Sequence, residues 1–150
     1  MNDEYFMRQA IALAKEAAEE GEGPVGAVVV FDGKIVGKGR NRREISKNAL
    51  AHAEIEAINE ACRALGGWRL WQCDIYVTLE PCPMCTGAII NSRIKRLVYG
   101  ASDYKAGSCG SVIDLFSLPY NHKPEVAKGV MQEECAALLS DFFKKLRKKL

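Results

Sequence analysis

Two cysteines three positions apart, with one proline just before the first and another just after it, stand in Leu79-Glu80-Pro81-Cys82-Pro83-Met84-Cys85. Sulfurs at i and i+3 share one face of a helical turn and can grip a single ion. Proline lacks an N–H and presets φ, which suits the first turn of a helix, so the pair is predicted at a helix N-terminus. There the helix dipole and free N–H groups favour thiolate, the form that a metal requires. Three readings compete: a redox pair, a closed structural metal site and half of a catalytic one.

Upstream, His52 and Glu54 fall in Ala51-His52-Ala53-Glu54 at the predicted start of another helix. One strand separates the two helices. In a parallel α/β layout, helix N-termini after successive strands line up along one sheet edge, where His52, Cys82 and Cys85 can meet. Such a set suits Zn²⁺, which takes four neighbours in a tetrahedron. A protein side chain at the fourth corner makes the site structural; water there makes it catalytic. Cys62, Cys73, Cys109, Cys135 and His122 are the candidates to close that corner, none at ligand-like spacing. Residues i and i+2 of a regular helix point to opposite sides, so Glu54 is not expected as a fellow ligand of His52. Near a helix start it can instead lean over the ion and meet a bound water. Two thiolates and a neutral imidazole cancel the ion's charge and leave it a mild acid, so a carboxylate must help move the water's proton. General acid–base assistance of this kind gives ~10²–10⁴ in rate. The combination H-x-E followed by P-C-x-x-C favours the catalytic reading over the other two.

The elements that must hold these residues are legible in the pattern. From Asp3 to Glu20, Phe6, Ala10, Leu13, Ala14 and Ala17 recur at helical spacing, with Gly21 and Gly23 beyond. Val25 to Phe31 is a β-branched apolar run, and Asp32-Gly33 joins it to Lys34–Gly39 as a hairpin. Arg40 to Asn48 reads as a loop, and Ala49 to Leu65 as a helix with Leu50, Ala57, Ile58, Ala61 and Leu65 inward. Cys73–Glu80, Lys95–Ala101 and Glu125–Val130 read as strands, Pro81–Asn91 as a helix, and Ser102–Pro119 as a loop with a short helical stretch. A final helix from Gln132 carries the apolar stripe Cys135, Leu138, Leu139, Phe142 and Leu146. Trp68 and Trp71 read as apolar cover. This alternation predicts an α/β fold: a three-layer α/β/α sandwich on a mixed five-stranded sheet, formed by residues 1–150 as a single domain.

With 150 residues, the chain can bury a core without covalent staples. Its acidic opening, Met1-Asn2-Asp3-Glu4, is unlike a secretory signal, so its six cysteines are expected reduced in the cytoplasm. No apolar run approaches the roughly 18 residues of a membrane span. The net charge of +2 is uneven: Lys144, Lys145, Arg147, Lys148 and Lys149 crowd the end. A second basic cluster comprises Lys38, Arg40, Arg42, Arg43 and Lys47. Two such patches suit a polyanion partner or a merely solvated surface.

The residues "HAE…TLEPCPMC" resemble the zinc-dependent nucleoside and nucleic-acid deaminases. The likeness continues through "GPVGAVVV", "GRNR", "GASDYKAGSCGSVIDL", "YNHKPEV" and "GVMQEECAALLSDFF", blocks similar to the bacterial tRNA-specific adenosine deaminases. What the resemblance implies is a cytidine deaminase-like fold, a homodimer and one Zn²⁺ per subunit. The implied activity is hydrolysis of adenosine to inosine at the wobble position of a tRNA anticodon. On this basis His52, Cys82 and Cys85 hold the zinc, which activates a water, and Glu54 is the catalytic proton shuttle. Asn41 would hydrogen-bond the target base, Val25 would line its pocket and Ala53 would approach it through the backbone. Asp103 and Lys105 would touch the RNA near the flipped nucleotide, with a 2′-hydroxyl as the natural donor to the carboxylate. Asn121 and His122 would help to hold the anticodon loop, and Phe143, with the basic residues behind it, would stack on bases. From composition alone, Asn41 is a turn residue, Asp103 a capping residue and His122 structural.

Overall fold

The structure, a computed structural model, describes residues 2–149. Helix α1 (Asp3–Glu19) starts where the Asn2 side chain accepts the Tyr5 N–H at 3.0 Å. Strands β1 (Gly26–Phe31) and β2 (Lys34–Arg40) form the expected hairpin. Asp32 and Gly33 both adopt positive φ (51° and 74°), as a type I′ turn requires. A single helical turn, α2 (Arg43–Ser46), interrupts the predicted loop and precedes α3 (Ala53–Leu65). Then come β3 (Cys73–Leu79), α4 (Pro83–Asn91), β4 (Arg96–Ala101), a 3₁₀ turn at Leu115–Ser117, β5 (Glu125–Lys128) and α5 (Gln132–Lys148).

The sheet order is β2-β1-β3-β4-β5. Strand β1 is antiparallel to both neighbours, whereas β3, β4 and β5 are mutually parallel. Strand β2 therefore points the same way as β3, and the helices that follow them, α3 and α4, begin at the same edge. Both faces of the sheet are covered, which explains strands that read as continuous apolar runs. Ala27, Val29, Ile75, Val77, Leu97 and Tyr99 pack under α3 and α4. Val28, Val30, Tyr76 and Val98 pack under α1 and α5.

A partly buried polar clamp ties the first helix to the sheet. Arg96 donates to both oxygens of Asp3 at 2.9 and 2.7 Å, and the Tyr76 hydroxyl donates to the same carboxylate at 2.7 Å. The Arg96 hydrogen bonds hold the Asp3 carboxyl below its ordinary pKa against the opposing effect of burial.

Several expectations are corrected. Leu50 is 57% exposed because α3 starts at Ala53, which leaves Leu50 in the preceding turn. Trp68 and Trp71 cover no core: both are more than half exposed, while Leu70 between them is buried. Arg69 and Arg93 lie over the Trp68 ring at 4.3 and 5.7 Å, so its face meets cations. On α5 only Cys135 is fully buried; Leu146 is 47% exposed, and Leu138 and Phe142 line a groove between α5 and α1.

Candidate active site

The edge where α3 and α4 begin collects the chemistry. His52 is the N-cap of α3, Cys82 the N-cap of α4, and Pro83 occupies the first helical position after Cys82. The cap positions keep both side chains off the helix cylinder and facing each other. His52 Nδ1 lies 3.7 Å from Cys82 Sγ and 3.6 Å from Cys85 Sγ. With Zn–S near 2.3 Å and Zn–N near 2.0–2.1 Å, a regular tetrahedron has an N···S edge of about 3.6 Å. The donor set and its spacing thus fit Zn²⁺. Among the described residues, His52, Cys82 and Cys85 form the one group of three potential ligands within 4.8 Å of one another. Cys109, a candidate for the fourth corner, pairs its sulfur with the Thr86 hydroxyl at 3.3 Å. His122 is bonded to the Ile94 carbonyl at 2.7 Å.

Charge in the cluster is strongly redistributed. The Cys82 sulfur takes the Cys85 S–H as a hydrogen-bond donor, with His52 adding to the effect, and its pKa falls to about 4. Cys85 moves upward, as the donor in that bond and as a buried thiol. A divalent cation at this point favours thiolate on both sulfurs. His52 is raised chiefly by its hydrogen bond to Cys82. Glu54 is 3% exposed, and burial pushes its pKa up to about 7, with the Cys82 charge adding to the rise. Its carboxyl lies near enough to the cluster for the Cys82 and Cys85 sulfurs to act on its charge. A carboxyl that titrates near neutrality beside a metal-type cluster is poised to accept and return a proton.

The N-terminus of α3 is placed by close backbone packing. A Cβ on Gly39 would lie 2.0 Å from the Ala53 carbonyl oxygen, and one on Gly37 would lie 2.1 Å from that of Ala57. Only glycine lets β2 approach α3 this closely. Beside this seam, Asn41 is 9% exposed and its Oδ1 accepts the Ala53 N–H at 3.0 Å. That bond orients the amide and leaves Nδ2 as its donor. The same bond occupies the N–H of Ala53, whose backbone is expected to approach a base. Val25 is buried and accepts the Asn41 N–H through its carbonyl at 3.2 Å, which holds the two side by side.

Two buried carboxylates that sequence reasoning passed over organise the surrounding loops. Glu22 accepts the N–H groups of Glu44 and Ile45 at 3.1 and 2.7 Å and so caps α2, next to Asn41. Glu80, 2% exposed, accepts the N–H groups of Asp103, Cys109 and Ser111 at 3.0, 3.0 and 3.1 Å and the Ser111 hydroxyl at 2.5 Å. Burial pushes Glu80 upward, but the Ser111 hydroxyl and the three N–H groups outweigh it and hold its pKa below the ordinary value. Asp103 Oδ1 accepts the Lys105 and Ala106 N–H groups, which closes a tight turn with Lys105 exposed.

Asn121 and His122 are not brought to this edge within the chain. They precede β5 at the end of the sheet where β4 begins, about a strand's length of ~20 Å from the cluster. Phe143 lies on α5, 49% exposed, against Phe142 at 5.7 Å between ring centroids.

Comparison with known proteins agrees with this geometry. The model of the MafB19-like deaminases matches residues 1–147. The tRNA-specific adenosine deaminase of Bacillus subtilis (strain 168) is 50% identical over 98% of this chain and 92% of its own length. This chain belongs to the tRNA-specific adenosine deaminase family. A solved structure from a study of A-to-I editing by tRNA:A34 deaminases superposes with a TM-score of 0.88 at 46% identity, covering 90% of this chain and 99% of that one. Guanine deaminase from Bacillus subtilis shares the fold at a TM-score of 0.68 and 35% identity, with 99% and 95% covered. The deaminase fold therefore serves both a free base and a base within RNA.

Proposed function

We propose that this enzyme converts adenosine to inosine at the wobble position of a tRNA anticodon, with water as co-substrate and ammonia as product. The observation that carries the reading is the convergence of His52, Cys82 and Cys85, with Glu54 buried in the first turn of the helix that His52 caps. The 50% identity to a tRNA-specific relative over nearly the whole chain supports RNA over a free base as the substrate.

His52 Nδ1 and the sulfurs of Cys82 and Cys85 would hold one Zn²⁺ per subunit. Bound there, zinc supplies a Lewis acid that makes water a competent nucleophile near neutral pH. Glu54 would take one proton from the attacking water and deliver it to the purine ring nitrogen next to the reacting carbon. It would then take the second from the new hydroxyl on that carbon and pass it to the amine, which leaves as ammonia as the carbonyl forms. A pKa near 7 allows the same carboxyl to act as base and as acid. Asn41 Nδ2 donates to the base, Val25 and Ala53 wall the pocket, and the Asp103–Lys105 turn meets the ribose-phosphate backbone beside it. A loop base is cheap to extrude because it carries no pairing to break, which suits an anticodon.

Phe143 and the cations that follow it on α5 would extend the contact along the RNA, and a second subunit would complete the enzyme as a homodimer. Asn121 and His122 would serve the anticodon loop from outside the local pocket. Among the described residues no helix is long and apolar enough to cross a membrane, and all six cysteines are free thiols, as a reducing cytoplasm would keep them.

The test is deamination, read by mass spectrometry as inosine at the wobble position of an anticodon stem-loop and as inosine, uridine or xanthine from free adenosine, cytidine or guanine. Turnover of the stem-loop alone supports the reading; turnover of only a free base or nucleoside overturns it. Glu54→Gln should retain zinc and RNA affinity and lose ~10²–10⁴ in rate.

A further inference from the structure

One carboxylate, Glu80, is spent entirely on the backbone and side chain of a single loop. Its partners are Asp103, Cys109 and Ser111, more than twenty residues downstream, and it stands two residues before Cys82 at the end of β3. The neighbouring Pro81 carbonyl accepts the Ser108 N–H at 2.9 Å, so the loop is laid along the whole approach to α4. At Gly107 a Cβ would come within 2.4 Å of Glu80 Cδ and 2.4 Å of the Asp103 carbonyl oxygen, so only glycine lets the loop close over the carboxylate. The loop's exposed turn, Asp103 to Lys105, hangs from this anchor.

We infer that Glu80 is a positioning residue for RNA: by gathering the N–H groups of Asp103, Cys109 and Ser111, it fixes the Asp103–Lys105 turn relative to the pocket. The inference rests on the wobble-deaminase reading, in which that turn meets the RNA. The physical case is that a buried anion with four donors is a strong and geometrically exacting tether. Its partners sit on both limbs of the loop, so it sets the loop's position and not merely a local bend. Glu80 itself reaches neither the base nor the ligands; it acts through Lys105 and Asp103.

Glu80→Gln keeps the shape but turns one acceptor into a donor facing N–H groups. In wild type, inosine formation on the stem-loop first establishes the parent reading; its absence there is a failure of that reading and not of this one. In Glu80→Gln the expected result is a KM for the stem-loop raised about tenfold, with kcat within about twofold and one zinc per chain retained. Amide exchange at Asp103, Cys109 and Ser111 should accelerate. Lys105→Ala should raise KM in wild type but add little in the Glu80→Gln background, because a displaced turn no longer delivers the lysine. Ser111→Ala removes one of the four bonds without disturbing the charge and should raise KM about threefold, which keeps the proposal testable if Glu80→Gln fails to fold. An unchanged KM despite faster exchange overturns the proposal. So does loss of zinc together with kcat, or full multiplication of the Glu80→Gln and Lys105→Ala effects in the double variant.

Discussion

Gly39→Ala and Gly37→Ala, two residues apart on β2, meet carbonyls one helical turn apart on α3 and should separate stability from chemistry. The added Cβ at Gly39 would sit 2.0 Å from the Ala53 carbonyl oxygen, where ordinary contact begins at 3.4 Å. Strand and helix must therefore part by about 1.4 Å at the residue next to His52 and Glu54. At Gly37 the same clash, 2.1 Å, falls on Ala57, one turn further from the cluster. Overpacking of this kind costs about 1–3 kcal/mol, which lowers Tm by several degrees in a domain of this size. Both variants should show that loss. A displacement near 1 Å of reacting groups costs about 10²-fold in rate, so Gly39→Ala should also lose about two orders of magnitude in kcat/KM and bind zinc more weakly. Gly37→Ala, at equal loss of stability, should lose less than about tenfold. The assay is inosine formation below both melting transitions, with zinc content measured on the same samples. Equal activities in the two variants, or an undiminished Tm in either, would refute the argument that this seam positions the site.

Asp3→Asn should cost about 1–2 kcal/mol at pH 7, from the partly buried Arg96 and Tyr76 bonds. Because the folded-state pKa of Asp3 is depressed, this stability is fully present above the unfolded value of about 4 and is lost as pH falls through the folded value. Urea titrations of wild type and variant should therefore converge in acid, and a gap that stays constant on acidification would rule out the ion pair as its source. Truncation after Phe143 removes Lys144, Lys145, Arg147, Lys148 and Lys149, and should weaken stem-loop binding and flatten its salt dependence by up to about 0.7 in log–log slope per cation on phosphate. An unchanged slope would assign those side chains to solvent.

Much of the frame was legible because local and tertiary preferences agree. Asp32-Gly33 permits two positive φ values, and the strands it joins are β-branched, so turn and pairing follow together. His52, Cys82 and Cys85 were found because ligand types at helix starts after successive strands converge by topology alone. The site's supports were not legible. Glu80 and Glu22 look like ordinary surface acids until the loops that supply their N–H groups are seen to fold over them. Gly39 looks like one more small residue in a strand, since its importance lies in a carbonyl on another element. Leu50 and the Trp68–Trp71 pair misled for the opposite reason: apolar character implies burial only when an element delivers the side chain to a core.

The catalytic chassis is joined backbone to backbone, with β2 glycines seated on α3, whereas the recognition loops hang from it by single carboxylates. Chemistry and substrate choice are thus mechanically separable parts. Loops of different length can be fitted to the same rigid core without re-tuning the proton relay. A fold shared with a guanine deaminase is what such modular construction would produce.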